Sequence, residues 1–89
     1  VHGVAVADIT DLGVALLQLR RFADADSAIQ QALKLQPENY MYWYNYGSLL
    51  GSTQRMTQAK DAFEKTLRLR PDFLPAQQDL NFVNRTLSK

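Results

Sequence analysis

Apolar residues along this chain fall at helical spacing. Ile9, Leu12, Leu16 and Leu19 recur at intervals of three and four, the signature of one helix face. Phe22, Ala25, Ile29, Ala32 and Leu33 repeat the pattern after a short polar joint at Arg20-Arg21. Joints this short make antiparallel neighbours, so the two stripes predict a helix hairpin. A last stripe, Leu74, Leu80, Val83 and Leu87, predicts a closing helix. Asp72 is its expected N-cap, and Pro75 is tolerated in a first turn.

The hairpin occurs twice. Pro37 and Pro71 lie 34 positions apart (71 − 37), and other landmarks share that offset. Gly13 maps onto Gly47, Leu16 onto Leu50, Ala25 onto Ala59, Ile29 onto Phe63, and Leu33 and Leu35 onto Leu67 and Leu69. Ile9 maps onto Trp43 and Leu12 onto Tyr46. Each proline ends a second helix, because proline disfavours helical geometry in the residue before it. A mid-helix glycine costs about 1 kcal/mol against alanine. Gly13 and Gly47 therefore predict a close helix–helix approach, with Ala25 and Ala59 as the small residues facing them.

The second copy reads Trp43-x2-Tyr46-Gly47-x2-Leu50, then Ala59-x3-Phe63, then Pro71. The first reads Ile9-x2-Leu12-Gly13-x2-Leu16, then Ala25-x3-Ile29, then Pro37. This pattern resembles the tetratricopeptide repeat. The resemblance implies an all-α fold of about five helices, with antiparallel hairpins stacked as a short right-handed α-solenoid. It divides a single domain, 1–89, into repeat one at 6–39, repeat two at 40–73 and a capping helix at 74–88. The family often has glycine just after the first helix of a repeat. Here Arg20 and Gln54 stand there, so those loops must turn without it.

The segment YMYWYNYG, residues 40–47, carries most of the aromatic weight. Helical spacing sorts it by face. Trp43, Tyr46 and Leu50 are expected inside the hairpin, and Tyr42 and Leu49 against the preceding repeat. Tyr44, Met41 and Ser48 point to a third side. In the family that this pattern resembles, first helices line a concave groove that holds a partner's peptide. The resemblance carries that groove onto Thr10, Val14 and Leu17, with Ala7 beside them. It continues onto Met41, Tyr44, Ser48 and Gly51, with Asn45 at the edge, and onto Gln78, Phe82 and Arg85. Chaperone-binding members grip a terminal carboxylate with Lys, Asn and Arg at the fifth and ninth places of a repeat. Those places here hold Thr10, Val14, Tyr44, Ser48, Gln78 and Phe82, with no cation among them. Acidic peptide ends would be left unpaired, which argues against that partner. A lining of Val14, Leu17, Met41, Tyr44 and Phe82 suits an apolar or amphipathic segment, with Arg85 able to pair an acid at one end.

Composition narrows the alternatives. The chain is 46% hydrophobic and 21% charged, with net charge +1, as expected of a folded domain. No basic run exceeds two residues, so a nucleic-acid interface is not expected. With no cysteine, disulfides, thiolate chemistry and Cys-based zinc sites are excluded. A reducing cytoplasm suits such a chain, as does a periplasm. No apolar run is long enough for a membrane span. The single histidine, His2, sits at a chain end and leaves nucleophilic triads without a base. The carboxylate pairs Asp8/Asp11 and Asp24/Asp26 make poor metal sites alone, and no glycine-rich phosphate loop exists. Asn84-Arg85-Thr86 matches a glycosylation sequon, a frequent chance match. No catalytic residue, metal or cofactor is expected, and the chain reads as an adaptor or scaffold that binds protein. Self-association through the open face around Val4, Val6 and Ala15, or service as a docking arm of a larger protein, are the alternatives.

Overall fold

The computed structural model describes residues 6–88, with side chains described from residue 12 onward. Among the described residues there are five helices and no strand: α1 (Val6–Gln18), α2 (Phe22–Leu35), α3 (Tyr40–Ser52), α4 (Met56–Leu69) and α5 (Leu74–Leu87). Each helix packs on the next in sequence, and α1 also reaches α3. The molecule is elongated, 47 × 26 × 17 Å, as expected when hairpins stack along one direction. His2, Val4, and the side chains of Val6, Asp8, Thr10 and Asp11 lie outside the described residues.

The two hairpin turns are built alike, 34 residues apart. Arg20 and Gln54 adopt left-handed backbone, with φ of 59° and 65°. Arg21 N–H donates to the Leu16 carbonyl at 2.8 Å and Arg20 N–H to Leu17 at 3.0 Å. Arg55 N–H donates to Leu50 at 2.8 Å and Gln54 N–H to Gly51 at 3.2 Å. This nested pair of bonds is a Schellman motif, which satisfies the last carbonyls of a helix and favours glycine at the left-handed position. The family's glycine is thus replaced by residues that accept its backbone conformation at a steric cost of about 1–2 kcal/mol. Arg20 recovers part of that by stacking over Phe22, 5.1 Å from the ring centroid.

The core forms two clusters. Leu16, Ala25, Ala28, Ile29 and Leu49 make the first; Leu50, Ala59, Ala62, Phe63 and Val83 make the second. Leu49 therefore inserts into the preceding hairpin, as its face implied, and Tyr42 is buried. Tyr46 packs against both clusters and so bridges them.

Several expectations need correction. The close approach at the two glycines is real, but its partners are large. A methyl on Gly13 would meet Ile29 Cγ1 at 2.9 Å, and one on Gly47 would meet the Phe63 ring edge at 2.6 Å. Each glycine receives the big residue of the facing helix rather than Ala25 or Ala59. That geometry centres the α1 contact line on Gly13 and Leu16. Leu12 and Leu19 consequently sit at the rim, 53% and 68% exposed, instead of joining the packed stripe. Asp72 is not the N-cap of α5. Phe73 holds that place without a side-chain bond, while Asp72 pairs with Arg70 Nε at 3.3 Å. Trp43 packs against the second core cluster as expected but is only half-buried, and its Nε1–H donates to the Pro37 carbonyl at 2.7 Å.

That bond has a repeat-related counterpart. Gln77 stands 34 residues after Trp43 and donates Nε2–H to the Pro71 carbonyl at 2.8 Å. The last helix has lost the aromatic but keeps the tie to the preceding loop.

Two predictions test this packing. Gly47→Ala drives a methyl into the Phe63 ring and should destabilise the domain by about 1–3 kcal/mol. Gly51, in the same helix, has nothing within 4 Å of an added methyl, so Gly51→Ala should stabilise by about 0.5–1 kcal/mol. Urea denaturation of both variants measures the contrast; equal effects would refute the packing at Gly47. Separately, Gln54→Gly should raise stability by about 0.5–1 kcal/mol, the relief of left-handed strain less the entropy of a new glycine.

Candidate functional site

The aromatic block is a ladder that crosses helices. Tyr40 meets Phe73 edge-on at 5.1 Å between centroids, and Phe73 meets Tyr44 at 5.2 Å. Tyr44 in turn tilts against Phe63 at 5.7 Å. The ladder thus runs from the start of α3, through the loop before α5, to the middle of α4. Arg70 closes its outer end, donating Nη1–H to the Tyr40 hydroxyl at 2.6 Å. At the inner end, the Tyr44 hydroxyl donates to Asp79 Oδ2 at 2.7 Å and clasps α3 to α5.

Beside this clasp lies a hollow of about 330 Å³ between α3, α4 and α5. Ser48, Gly51 and Ser52 line it from α3, Met56 and Phe63 from α4, and Asp79, Phe82 and Val83 from α5. Gly51 keeps one wall at backbone level. Phe82 stands at the edge, 56% exposed, an unusual position for a ring on a helix of a folded domain. Ser48 spends its hydroxyl on the Tyr44 carbonyl at 3.2 Å, so it presents little unsatisfied polarity.

The anticipated groove residues separate into groups. Ser48, Gly51 and Phe82 meet in this hollow. Tyr44 does not line it but braces two residues that do, Phe63 and Asp79. Val14, Leu17 and Met41 are half-buried, and Leu17 packs on the first core cluster. Met41 N–H is capped by Asn39 Oδ1 at 3.0 Å. Gln78 and Arg85 are exposed on α5. Asn45 is buried rather than marginal, and among the described residues its Nδ2 has no hydrogen-bond acceptor. The side chain of Thr10 lies outside the described residues.

Asp79, Met56 and Phe63 were missed. The signal for Asp79 was present: it stands 34 positions after Asn45, so the same groove-edge place on the last helix is an acid. Among the described residues no Lys or Arg lies within ion-pair distance of Asp79; the cations Arg21, Lys65 and Arg70 pair with Asp24, Glu38 and Asp72. No group of three metal-ligating side chains occurs among the described residues, and no described helix is long and apolar enough to cross a membrane. The sequon residue Asn84 lies within the last turns of α5.

Comparison with known proteins fits this architecture. The tetratricopeptide repeat model matches residues 10–72, and the chain belongs to that family. Among curated proteins, the peroxisomal targeting signal receptor of Candida albicans is 30% identical over 69 residues, 78% of this chain. The receptor of the same name from Candida glabrata is 29% identical over 69 residues. The chain spans only 12% of the length of either. Among solved structures, the first repeat domain of Spaghetti (RPAP3) bound to the HSP90 peptide SRMEEVD superimposes with a TM-score of 0.91 at 24% identity. That match covers 96% of this chain and 68% of the other. The first such domain of human RPAP3 gives 0.89 at 24%, covering 93% and 65%. A MamA mutant gives 0.82 at 23%, covering 93% and 61%.

The clasp makes a pH prediction. Burial first, then the hydrogen bond to Asp79 and its negative charge, push the Tyr44 hydroxyl from 10.0 up to about 12. The folded chain therefore holds this proton more tightly than the unfolded chain. The contribution is complete below pH 10.0 and is lost as pH rises towards about 12. Tyr44→Phe should flatten this part of the alkaline stability loss. Tyrosinate difference absorbance of the native protein should show a late-ionising component that the variant lacks.

Proposed function

We propose that this domain is a non-enzymatic interaction module that holds an apolar or amphipathic segment of a partner protein in the hollow between α3, α4 and α5. Proteins of the tetratricopeptide repeat family mediate protein–protein interaction, and this chain shares their fold. The observation that carries the reading is the half-exposed Phe82 beside a hollow floored by Met56 and Phe63. An apolar side chain entering there would bury its own surface and that of the ring, at about 25 cal/mol per Å² of area removed from water.

The polarity of the hollow bears on the kind of peptide. One structural neighbour carries SRMEEVD, a peptide with a strongly acidic end. The hollow between α3, α4 and α5 is lined by no Lys or Arg and contains an aspartate. An acidic tail would bring like charge to Asp79 without a cation to offset it. An apolar segment meets no such penalty. The adaptor role, the partner as a protein, and the cytoplasm as the place of action belong to the same proposal.

Selection of short peptides from a random library, displayed against the folded domain, tests the reading. Phe82→Ala should weaken the selected peptides about tenfold, the loss of one aromatic anchor. Gly51→Leu should block them by filling the hollow from the wall where an added Cβ meets no atom within 4 Å, while leaving the fold intact by circular dichroism. Peptides that bind both variants as well as the native chain would sink the proposal.

A further inference from the structure

Resting on the peptide-binding reading, we infer that the hollow selects a segment whose buried apolar side chain is followed or preceded by lysine or arginine, with Asp79 as the counter-charge. Asp79 lines the hollow together with Phe82, one turn further along α5. Its Oδ2 accepts the Tyr44 hydroxyl at 2.7 Å, which fixes the carboxylate in place and leaves its remaining acceptor capacity for another donor. Tyr44 itself is held between Phe63 and Phe73, so the position of the carboxylate is set by packed rings.

Charge complementarity identifies the occupant. The acids that pair on this molecule, Asp24, Glu38 and Asp72, do so with exposed or half-exposed cations of their own surface. Asp79 has no such partner among the described residues, and it stands beside an apolar surface rather than in open solvent. A carboxylate there disfavours acidic segments and adds a charge-assisted hydrogen bond for an ammonium or guanidinium. The arrangement reads two adjacent features at once: the apolar group fixes on Phe82, Met56 and Phe63, and the cation reaches the carboxylate beside them. Arg85, one turn beyond Phe82, is exposed on α5 and does not line the hollow.

The test uses the same random library, selected against the native chain and against Asp79→Asn and Asp79→Lys. Asparagine keeps an oxygen for the Tyr44 hydroxyl, so the clasp survives while the charge goes. Sequences selected on the native chain should be enriched in Lys or Arg next to Leu, Met or Phe, and they should lose affinity on Phe82→Ala. Against Asp79→Asn they should bind about fivefold more weakly, the scale of a partly exposed ion pair. Against Asp79→Lys the enrichment should turn to Asp or Glu. Synthetic peptides with the basic residue replaced by Gln should bind native and Asp79→Asn domains equally. Peptides that depend on Phe82 but show no basic preference, or a preference that Asp79→Asn leaves unchanged, would overturn this inference and spare the peptide-binding reading. Failure to select any Phe82-dependent peptide would overturn both. A dimer in sedimentation, abolished by Phe82→Ala, would assign the hollow to a second copy and likewise overturn it.

Discussion

The fold depends on a steric fit: a phenylalanine ring lying against a helix at a position that has no side chain. At Gly47 the Phe63 ring is so close that a single added methyl would overlap it. The first hairpin repeats the arrangement with Ile29 against Gly13. This fit sets the separation of the paired helices, and close packing leaves little room to adjust it. The consequence reaches the surface. Phe63 touches Gly47 in the core, supports Tyr44, and also floors the hollow. The residue that locks the second hairpin also shapes the candidate binding surface, so stability and recognition share one ring.

Much of this was legible in the sequence. The 34-residue period located both hairpins, because landmarks of different chemistry shared one offset. The glycines announced a close approach, and Pro37 and Pro71 marked the ends of α2 and α4. What the period could not convey was which atom fills the space over a glycine. Small-against-small and large-into-gap both need a glycine, and only the positions of the Ile29 and Phe63 side chains decide between them. Leu12 and Leu19 illustrate a second limit: a helical stripe is broader than the line of contact, and where that line is centred depends on the partner. Function substituted by different chemistry was also hidden. Gln77 replaces a tryptophan in the repeat pattern, yet both side chains donate to the carbonyl of the preceding proline.

The candidate site was legible in outline. Ser48, Gly51 and Phe82 came from places carried over from the repeat pattern, and they converge. Tyr44 came from the same reasoning, but its hydroxyl and ring are committed to Asp79, Phe63 and Phe73. An exposed place in one helix says nothing of what a neighbouring helix offers it. Asp79 escaped because the last helix departs from the repeat at its aromatic and its glycine. The sixth place of that helix nonetheless keeps a polar side chain, as Asn45 does in the helix before.

The clasp between Tyr44 and Asp79 also bears on how the candidate surface keeps its shape. The hollow is walled by three of the described helices, α3, α4 and α5. Here α3 and α5 are joined by a short hydrogen bond and by a ladder of rings, so their spacing is fixed before any partner arrives. A preformed surface spares the receptor the cost of ordering on association, which leaves that cost to the peptide. Gly51 works in the same direction from the opposite side. Alanine there would favour the helix by about 1 kcal/mol and meet no obstruction, so packing does not require the glycine. Its effect is to leave the wall of the hollow at backbone level, and the space gained lies next to Phe82 and Asp79. Local helix stability and the depth of the hollow are therefore opposed at this one residue, whereas at Gly47 the core itself demands the missing side chain.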